Sequence, residues 1–306
     1  MIIYRFGFDP IEHSPDASVT IGTFDGVHLG HRAILSKVLE GAEPTVVTFD
    51  PHPQHVMRNR PGVVAIITPT REKLRKLELL GIQRVIIIPF DRKFASITAE
   101  DFLQDILMKR IGFKRLVIGF NHSFGRNREG NPEFLRRKSE ELGFELQIIG
   151  PCEHDGVMIS STLIRKTISA GKIRQANLYL GNPFRLIGMV IKGDGRGHGL
   201  GYPTANLQPM EEHCLIPAEG VYAARIYLND SNYPGMVSIG SRATFGEHLL
   251  VIEAHLFDFE LDLYGQIIAL ELLEYLRDQK RFNNPEDLIV QMRDDEKNAR
   301  RMLYEG

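Results

Sequence analysis

The residues best suited to chemistry lie in one short segment, Gly-Thr-Phe-Asp-Gly-Val-His-Leu-Gly-His at positions 22–31. Its glycines, among them Gly22 and Gly30, let the backbone approach a bound phosphate closely. His28 and His31 are three residues apart, which places both imidazoles on one side of a helix start. Imidazole donors there can hold triphosphate oxygens and stabilise the charge that develops when an α-phosphate is attacked and pyrophosphate leaves. The segment therefore predicts nucleotidyl transfer.

Three other interpretations of this segment compete with nucleotidyl transfer. A His-x-x-His spacing also occurs in metal sites, but a third ligand is not obvious and the glycines then have no role. The two histidines are compatible with ordinary capping or surface positions, and the glycines with an ordinary loop. The combination of a preceding strand, glycines and paired histidines favours phosphate chemistry over all three.

Two further segments are suited to anion binding. Asn121 and Phe124 follow an apolar run at 116–119, at the carboxyl end of a predicted strand, where open α/β sheets bind ligands. The run Ser-Ser-Thr-Leu-Ile-Arg at 160–165 opens a predicted helix, so its hydroxyls, its amides and the Arg165 guanidinium can bind the same phosphates. Such a run is ordinarily only an N-cap, but three anion-suited loops on one sheet favour a shared phosphate site.

A second candidate site lies at 193–206, where glycine occupies every other position from 193 to 201. Glycines this dense suit a backbone that wraps phosphates, and a mobile hairpin loop explains them equally well. The Pro-Thr-Ala-Asn that follows favours the phosphate interpretation, because Thr204 and Asn206 are two residues apart and face the same side of an extended chain. Their neutral oxygens suit Mg²⁺ that keeps waters and bridges nucleotide phosphates.

Glu253 stands in a mostly apolar predicted strand, Val-Ile-Glu-Ala-His-Leu-Phe at 251–257. A carboxylate there is costly unless it is paired or functional. As a general base it can accept the proton of a hydroxyl that attacks a γ-phosphate. The structural alternative is a carboxylate at the rim that pairs with Arg242 or another cation. The glycine-rich segment at 193–201 favours the general base.

These residues need two kinds of scaffold. Up to about residue 180, β-branched runs alternate with helical patterns, which is typical of βαβ units and a parallel sheet. The predicted strands are 18–22, 45–49, 84–88, 115–119 and 145–149, and the predicted helices are 31–39, 70–80, 99–110 and 132–142. Thr70 and Thr98 are placed to cap two of these helices.

After Asn182 the pattern changes to strands without intervening helices, predicted at 184–191, 221–228, 235–239, 251–259 and 266–273. Such strands pair antiparallel and here predict a small barrel, followed by a helix over 287–304. The predicted fold is therefore an α/β N-terminal domain with a Rossmann-like parallel sheet, plus a C-terminal antiparallel β-barrel domain with a terminal helix. The predicted domains are 1–182 and 183–306.

The bulk composition narrows the class of protein. The chain has 306 residues, of which 43% are hydrophobic and 25% charged, and these values suit a globular protein of two domains. A formal charge of -2 argues against a nucleic-acid binder. No apolar run predicts a membrane span and no signal peptide is evident. The two cysteines, far apart, suit the cytoplasm, and the sequence carries no signal for an oligomeric state.

Together the motifs resemble those of the bacterial bifunctional riboflavin kinase/FMN adenylyltransferase (FAD synthetase) family, over nearly the whole chain. The matching segments are 22–31, 48–53, 119–125, 160–165, 195–206, 220–222, 238–245 and 253–265. The resemblance implies a C-terminal riboflavin kinase domain that makes FMN and ADP from riboflavin and ATP. It also implies an N-terminal nucleotidyltransferase domain that makes FAD and pyrophosphate from FMN and a second ATP. Both reactions would use Mg²⁺.

The resemblance implies roles for individual residues as well. His28 and His31 would stabilise the transition state of adenylyl transfer, and Phe124 would help to hold the flavin. Thr204 and Asn206 would bind Mg-ATP in the kinase, and Glu253 would activate the ribityl 5′-hydroxyl. The remaining ATP-binding residues implied are Gly22, Phe24, Gly30, Asn121, Ser161, Thr162 and Arg165 in the first domain and Gly195, Gly197, Gly199 and Gly201 in the second.

Four places depart from the commonest family pattern: Leu163, Asn182, the pair His122-Ser123, and Ala243. These departures bear on flavin affinity and on the rate of adenylylation.

Two other functions compete with this interpretation. One is a nucleotidyltransferase of the pantetheine-phosphate or glycerol-phosphate type with a non-catalytic barrel, which the Pro-Thr-Ala-Asn segment and Glu253 oppose. The other is an oligonucleotide-binding barrel, which the net charge and the absence of tryptophan oppose.

Overall fold

The computed structural model of the chain describes residues 1–57, 64–193, 202–244, 247–259, 261–282 and 284–305. The chain forms two compact units, Met1–Ser161 and Thr162–Gly306. The second unit includes the residues between 162 and 182, so the compact units divide earlier in the chain than the change of pattern after Asn182.

Six strands of the first unit form one parallel sheet. They are β1 (Ile2–Arg5), β2 (Ala17–Ile21), β3 (Ala42–Asp50), β4 (Arg84–Pro89), β5 (Arg115–Gly119) and β6 (Glu145–Ile149). Their order across the sheet is β1-β4-β3-β2-β5-β6, and every neighbouring pair is parallel. All residues of β2 are buried, as expected of a strand covered on both faces.

The strand order reverses at β2. The chain runs from β2 outward through β3 and β4, and then returns to the other side of β2 with β5 and β6. In open α/β sheets, ligands bind at such a reversal, in the crevice beyond the carboxyl ends of the strands. The loop at residues 22–31 leaves β2 there and the segment at 120–124 leaves β5 there. The topology therefore brings two of the predicted segments to one crevice.

Helices cover both faces of this sheet. They are α1 (Leu29–Leu39), α2 (Pro53–Met57), α3 (Thr70–Leu79), α4 (Arg92–Ala95), α5 (Ala99–Asp101), which continues as a π-helix over Phe102–Ile111, and α6 (Pro132–Leu142). Leu35 of α1 and Leu77 of α3 pack with Val46 and Val85 in one apolar cluster. The short hairpin of β7 (Glu153–His154) and β8 (Val157–Met158) follows β6.

The second unit is a closed antiparallel barrel with helices before and after it. α7 (Ser161–Ser169) and α8 (Ile173–Leu180) precede β9 (Phe184–Ile191), β10 (Ala205–Pro209), β11 (Gly220–Leu228), β12 (Ser231–Thr244), β13 (Glu247–Leu256) and β14 (Ile267–Arg277), and α9 (Pro285–Glu305) follows. The strand order is β10-β13-β12-β11-β14-β9. On α8, the Asn177 amide donates to the Leu272 carbonyl at 2.9 Å and accepts the Phe184 N–H at 2.7 Å.

Helix α9 lies along the outer face of the barrel. Its residues Ala299 and Leu303 join an apolar cluster with Val221 and Met236. The guanidinium of Arg277, at the end of β14, donates from Nη2 to the Asp295 carboxylate of α9 at 2.6 Å and from Nε at 2.8 Å. Removal of either partner would leave a charge buried in this contact. No helix among the described residues is long and apolar enough to span a membrane.

The predicted fold is confirmed, and individual elements differ from the prediction. The sequence patterns do not predict β1 or β10, both of which are short. The helix predicted at 99–110 is α-helical for one turn only and π-helical beyond it. The Thr98 hydroxyl caps that helix by accepting the Asp101 N–H at 3.1 Å, as predicted. The predicted cap at Thr70 is wrong, because Pro69 takes the capping position and Thr70 is already helical.

Candidate active sites

The loop at residues 22–31 has a constrained backbone. Phe24 and Val27 have φ angles of 48° and 44°, in the left-handed region that side chains other than glycine rarely adopt. Both side chains are buried, at 2% and 0% exposure, so core packing holds the backbone in this conformation. A loop fixed in this way presents its groups in one geometry, which is what preorganised catalytic donors require.

The two histidines of this loop are stacked on each other. Their ring centroids are 3.6 Å apart with an interplanar angle of 19°. His28 is the N-cap of α1, and its Nδ1 accepts the His31 N–H at 3.3 Å. Because a backbone N–H can only donate, the neutral His28 ring carries its proton on Nε2. The capping interpretation thus holds for His28.

The predicted ATP-binding glycines of this loop have a second role, which is to make room for aromatic rings. A Cβ on Gly30 would lie 3.2 Å from the His28 ring, and one on Gly22 would lie 3.1 Å from the Phe24 ring. The Phe24 ring in turn contacts the His31 ring edge-on at 5.2 Å. The glycines therefore permit the packing that orients the histidines, whether or not they also approach phosphate.

Three polar side chains that sequence reasoning did not single out hold this loop in place. The buried Asp25 carboxylate accepts the N–H groups of Ile67 and Thr68 at 3.2 and 2.9 Å. The Lys73 ammonium donates to the Thr23 carbonyl at 3.1 Å and to Thr48. Asp25 lies inside the motif and was visible in the sequence, whereas only the fold shows that Thr48 and Lys73, which are distant in sequence, reach the loop.

The segment after β5 places its residues in different environments. Asn121 is exposed, whereas Phe124 is 8% exposed. The centroid of the Phe124 ring lies 5.1 Å from that of Phe102 and 6.3 Å from that of Phe134. Between Asn121 and Phe124, the His122 Nε2 is buried and has no hydrogen-bond partner among the described residues. Burial lowers the pKa of His122 to about 4, so its ring is neutral near pH 7.

The other residues predicted to bind ATP in the first domain lie on α7. Its first residue, Ser161, is the last residue of the first unit and donates its hydroxyl to the Asp25 carbonyl of the 22–31 loop at 2.9 Å. Thr162 is exposed and Arg165 half-buried, and both belong to the second compact unit. Ser161 is thus brought to the loop, and the roles of Thr162 and Arg165 stay predictions.

In the barrel, strand register brings together residues that are distant in sequence. Asn206 of β10 is directly opposite Glu253 of β13, and Glu253 is directly opposite Ser238 of β12. Side chains directly opposite each other lie on the same face of a sheet, about 5 Å apart at Cβ. Thr204 comes immediately before β10. A Cβ on Gly193 would overlap the Asn206 amide, at 2.0 Å from Nδ2, so any larger residue there must displace the Asn206 side chain.

A histidine next to this row holds the Pro-Thr-Ala-Asn segment. His255 is 8% exposed and its Nδ1 lies 2.7 Å from the Pro203 carbonyl oxygen. A carbonyl can only accept, so Nδ1 carries the proton. The Tyr202 ring lies 5.1 Å from the His255 ring, and its hydroxyl donates to Glu296 of α9 at 3.2 Å. Burial and the Glu296 carboxylate raise the pKa of Tyr202.

Several predicted features of the second site lie outside the described residues. These are Gly195, Gly197, Gly199 and Gly201, and also the side chain of Arg242, the suggested pairing partner of Glu253. Among the described residues, no group of three or more His, Cys, Asp or Glu side chains is arranged to hold a metal ion. The oxygens of Thr204, Asn206 and Glu253 are nevertheless the hard donors that suit a cation which keeps water and phosphate ligands.

Comparison with known proteins shows which enzyme families the chain resembles. Residues 11–163 match the FAD synthetase family and residues 180–303 match the riboflavin kinase family. A bifunctional riboflavin kinase/FMN adenylyltransferase from Listeria monocytogenes is 35% identical over 288 residues, which cover 92% of this chain and 91% of the relative. The protein of the same name from Escherichia coli K12 is 36% identical, with the same shares of 92% and 91%.

A solved structure shares the fold of the whole chain. It is described as a macrolide-efflux protein from Streptococcus pneumoniae and matches with a TM-score of 0.88 at 31% identity, covering 98% of this chain and 99% of the other. The two families match in the order that the sequence motifs predict, and the curated relatives match over most of their length. The chain therefore belongs to the bifunctional riboflavin kinase/FMN adenylyltransferase family.

Proposed function

We propose that the chain converts riboflavin to FAD in two ATP-dependent steps, phosphorylation in the barrel and adenylyl transfer in the α/β unit. The observation that carries the proposal is the presence of both families in one chain, the riboflavin kinase part following the FAD synthetase part. The product of the first reaction, FMN, is then the substrate of the second. The strand register that sets Asn206 opposite Glu253 supports the kinase assignment.

In the phosphorylation step, Glu253 acts as general base. Its carboxylate accepts the proton of the ribityl 5′-hydroxyl, whose oxygen attacks the γ-phosphorus of ATP and releases ADP. The oxygens of Thr204 and Asn206 would hold Mg²⁺, which when bound neutralises phosphate charge. His255 fixes the segment that carries both residues. The glycines at 195, 197, 199 and 201 are proposed to wrap the ATP phosphates.

In the adenylyl-transfer step, a phosphate oxygen of FMN attacks the α-phosphorus of ATP and pyrophosphate leaves. His28 and His31 donate to the phosphate oxygens on which charge develops. The proposal places Ser161, Thr162 and Arg165 on the ATP phosphates, Gly22, Phe24, Gly30 and Asn121 along ATP, and Phe124 near the flavin. Neither step needs a covalent enzyme intermediate.

The proposal divides the two activities between residues 1–182 and 183–306. The family matches support this division, since one ends at residue 163 and the other begins at residue 180. We place both reactions in the cytoplasm, where ATP is available and where thiols such as those of Cys152 and Cys214, which are free cysteines here, stay reduced.

The direct test is to incubate the purified chain with riboflavin, ATP and Mg²⁺ and to separate the flavins by chromatography. We expect both FMN and FAD. Unphosphorylated riboflavin would reject the kinase and would favour a different nucleotidyltransferase with a non-catalytic barrel. Accumulation of FMN without FAD would reject adenylyl transfer in the first unit. Omission of Mg²⁺ with a chelator should stop both reactions.

Two variants assign the reactions to their sites. Glu253→Ala should abolish FMN formation while FMN supplied directly is still converted to FAD. His31→Ala should slow FAD formation by about 10²-fold, which is the scale for loss of one transition-state donor, and leave riboflavin phosphorylation unchanged. Loss of both activities in a folded variant would contradict two independent sites.

A further inference from the structure

Lys73 is a buried cation at the carboxyl edge of the first sheet. Its exposure is 5%, and its Nζ donates to the Thr23 carbonyl oxygen and to the Thr48 hydroxyl, both at 3.1 Å. Thr23 belongs to the 22–31 loop, and Thr48 is a fully buried residue of β3. A single ammonium group thus joins the loop, the neighbouring strand and helix α3.

The position of Lys73 in α3 is unfavourable for a lysine in two respects. Burial of an ammonium group carries a desolvation cost that an exposed lysine avoids. Lys73 also follows the helix start at Thr70 by three residues, where the helix dipole disfavours positive charge. An apolar residue would avoid both costs, which points to the contact with the loop as the reason for a lysine here.

The contact leads directly to the paired histidines. Thr23 precedes Phe24, whose backbone is left-handed and whose ring lies 5.2 Å from the His31 ring. On the other side of Phe24, the Asp25 carboxylate is held by the N–H groups of Ile67 and Thr68, which lead into α3. The loop is therefore fixed on both sides of Phe24 by α3 and the residues before it.

We propose that Lys73 is a positioning residue for adenylyl transfer: by holding the Thr23 carbonyl, it keeps the Phe24 ring, and with it the His31 imidazole, in the orientation that the transition state requires. The inference rests on the proposed adenylyl transfer at this loop. Lys73 itself touches neither the attacking nor the leaving group in this scheme.

The decisive variant is Lys73→Met, which keeps most of the side-chain length and removes the ammonium. Misplacement of a catalytic group by about 1 Å can cost about 10²-fold in rate. We expect kcat for conversion of FMN to FAD to fall by about 30-fold or more, with the KM for ATP changed less than about 3-fold, because the lost interaction acts on the transition state. Riboflavin phosphorylation by the same molecule should stay at the wild-type rate.

A matched control removes a different buried lysine of the same unit. Lys138 of α6 is 10% exposed in its side chain and pairs with Glu100 at 2.7 Å and Glu141 at 2.9 Å. Lys138→Met should change stability but not the kcat of adenylyl transfer. Equal loss of kcat in both lysine variants would show that Lys73 has only a general structural role, and would overturn the proposal.

A second pair of variants tests the same group of hydrogen bonds without removal of a charge, because the Thr48 hydroxyl accepts from Lys73 at 3.1 Å and donates to the Thr23 carbonyl at 3.4 Å. Thr48→Ser keeps the hydroxyl that Lys73 contacts, whereas Thr48→Val keeps the shape and removes the hydroxyl. If the proposal holds, the valine variant loses adenylyl transfer by about 3- to 10-fold and the serine variant retains it. The opposite order, or equal activities, would overturn the proposal, also where Lys73→Met does not fold.

The outcomes separate this inference from the proposed function. A wild-type chain that makes no FAD from FMN and ATP would reject adenylyl transfer itself. A wild-type chain that makes FAD, together with a Lys73→Met variant of unchanged kcat, would reject only the positioning role.

Discussion

His122 should make the first unit less stable in mild acid. Burial lowers the pKa of His122 in the folded chain from 6.5 to about 4. Between these two pH values the unfolded chain binds a proton at His122 and the folded chain does not. At a pH above 6.5, the ordinary pKa of the group, the His122 ring is neutral in both the folded and the unfolded chain, so the lowered pKa costs no stability. As the pH falls from about 6.5 toward about 4, the unfolded state is increasingly favoured, and below that range the difference is constant.

The size of the effect follows from the two pKa values. Linkage between protonation and folding gives a loss of about 2 kcal/mol in the free energy of unfolding between pH 7 and pH 5. This corresponds to a roughly 20-fold increase in the ratio of unfolded to folded first unit. In the part of the chain that the structure describes, no group bonds to the buried Nε2, so replacement of His122 by phenylalanine removes the titration without loss of such a bond.

The assay is amide hydrogen exchange in β5, which lies in the first unit directly before His122. Wild type and His122→Phe are compared at the same pH, so that intrinsic exchange rates cancel. The ratio of wild-type to variant exchange should rise roughly 20-fold from pH 7 to pH 5. As a control, His154→Phe replaces a ring that is 37% exposed and should keep the wild-type pH dependence. An unchanged ratio for His122→Phe would refute the reasoning.

Three further predictions concern the second unit. Gly193→Ala must displace the Asn206 amide and should lower kcat/KM for riboflavin phosphorylation by at least about 10-fold, with FMN adenylylation unchanged as the readout of folding. His255→Phe keeps the aromatic contacts but leaves the Pro203 carbonyl without its donor, at a cost of about 1–3 kcal/mol. We expect weaker ATP binding in the kinase assay, and an unchanged KM for ATP would argue against this role. Arg277→Met leaves its carboxylate partner on α9 buried and unpaired, and should destabilise the barrel by about 3–5 kcal/mol in urea titration.

Most of the fold was predictable because its elements carry local signals. Strands at 115–119, 145–149 and 184–191 and the helix at 132–142 were predicted with the bounds that the structure has. The misses have local causes too. β10 has the sequence Ala-Asn-Leu-Gln-Pro, which contains no β-branched or aromatic residue, so it carries no strand pattern. Pro69 displaces the cap predicted at Thr70 because a proline before the helix fixes the entry of the chain.

The candidate sites were predictable in their chemistry and less so in their geometry. The spacing of His28 and His31 indicated that their rings share one side of the helix start, and the rings are indeed stacked. The ring of Phe124, predicted from the resemblance to hold flavin, is packed in the apolar core beside Phe102, and its role there stays a prediction. Lys73 lies within the helix predicted at 70–80, and no pattern in the sequence indicates that it contacts the 22–31 loop.

The sequence by itself determined which groups are available, because spacing along one helix or strand fixes which side chains share a face. It therefore determined the histidine pair, the Thr204 and Asn206 pair and the order of the two domains. Only the tertiary structure decided which distant groups meet. The reversal of strand order at β2, the register that sets Asn206 opposite Glu253, and the contact of Lys73 with Thr23 all depend on long-range pairing. Such pairing is decided by burial of whole faces, which no local pattern specifies.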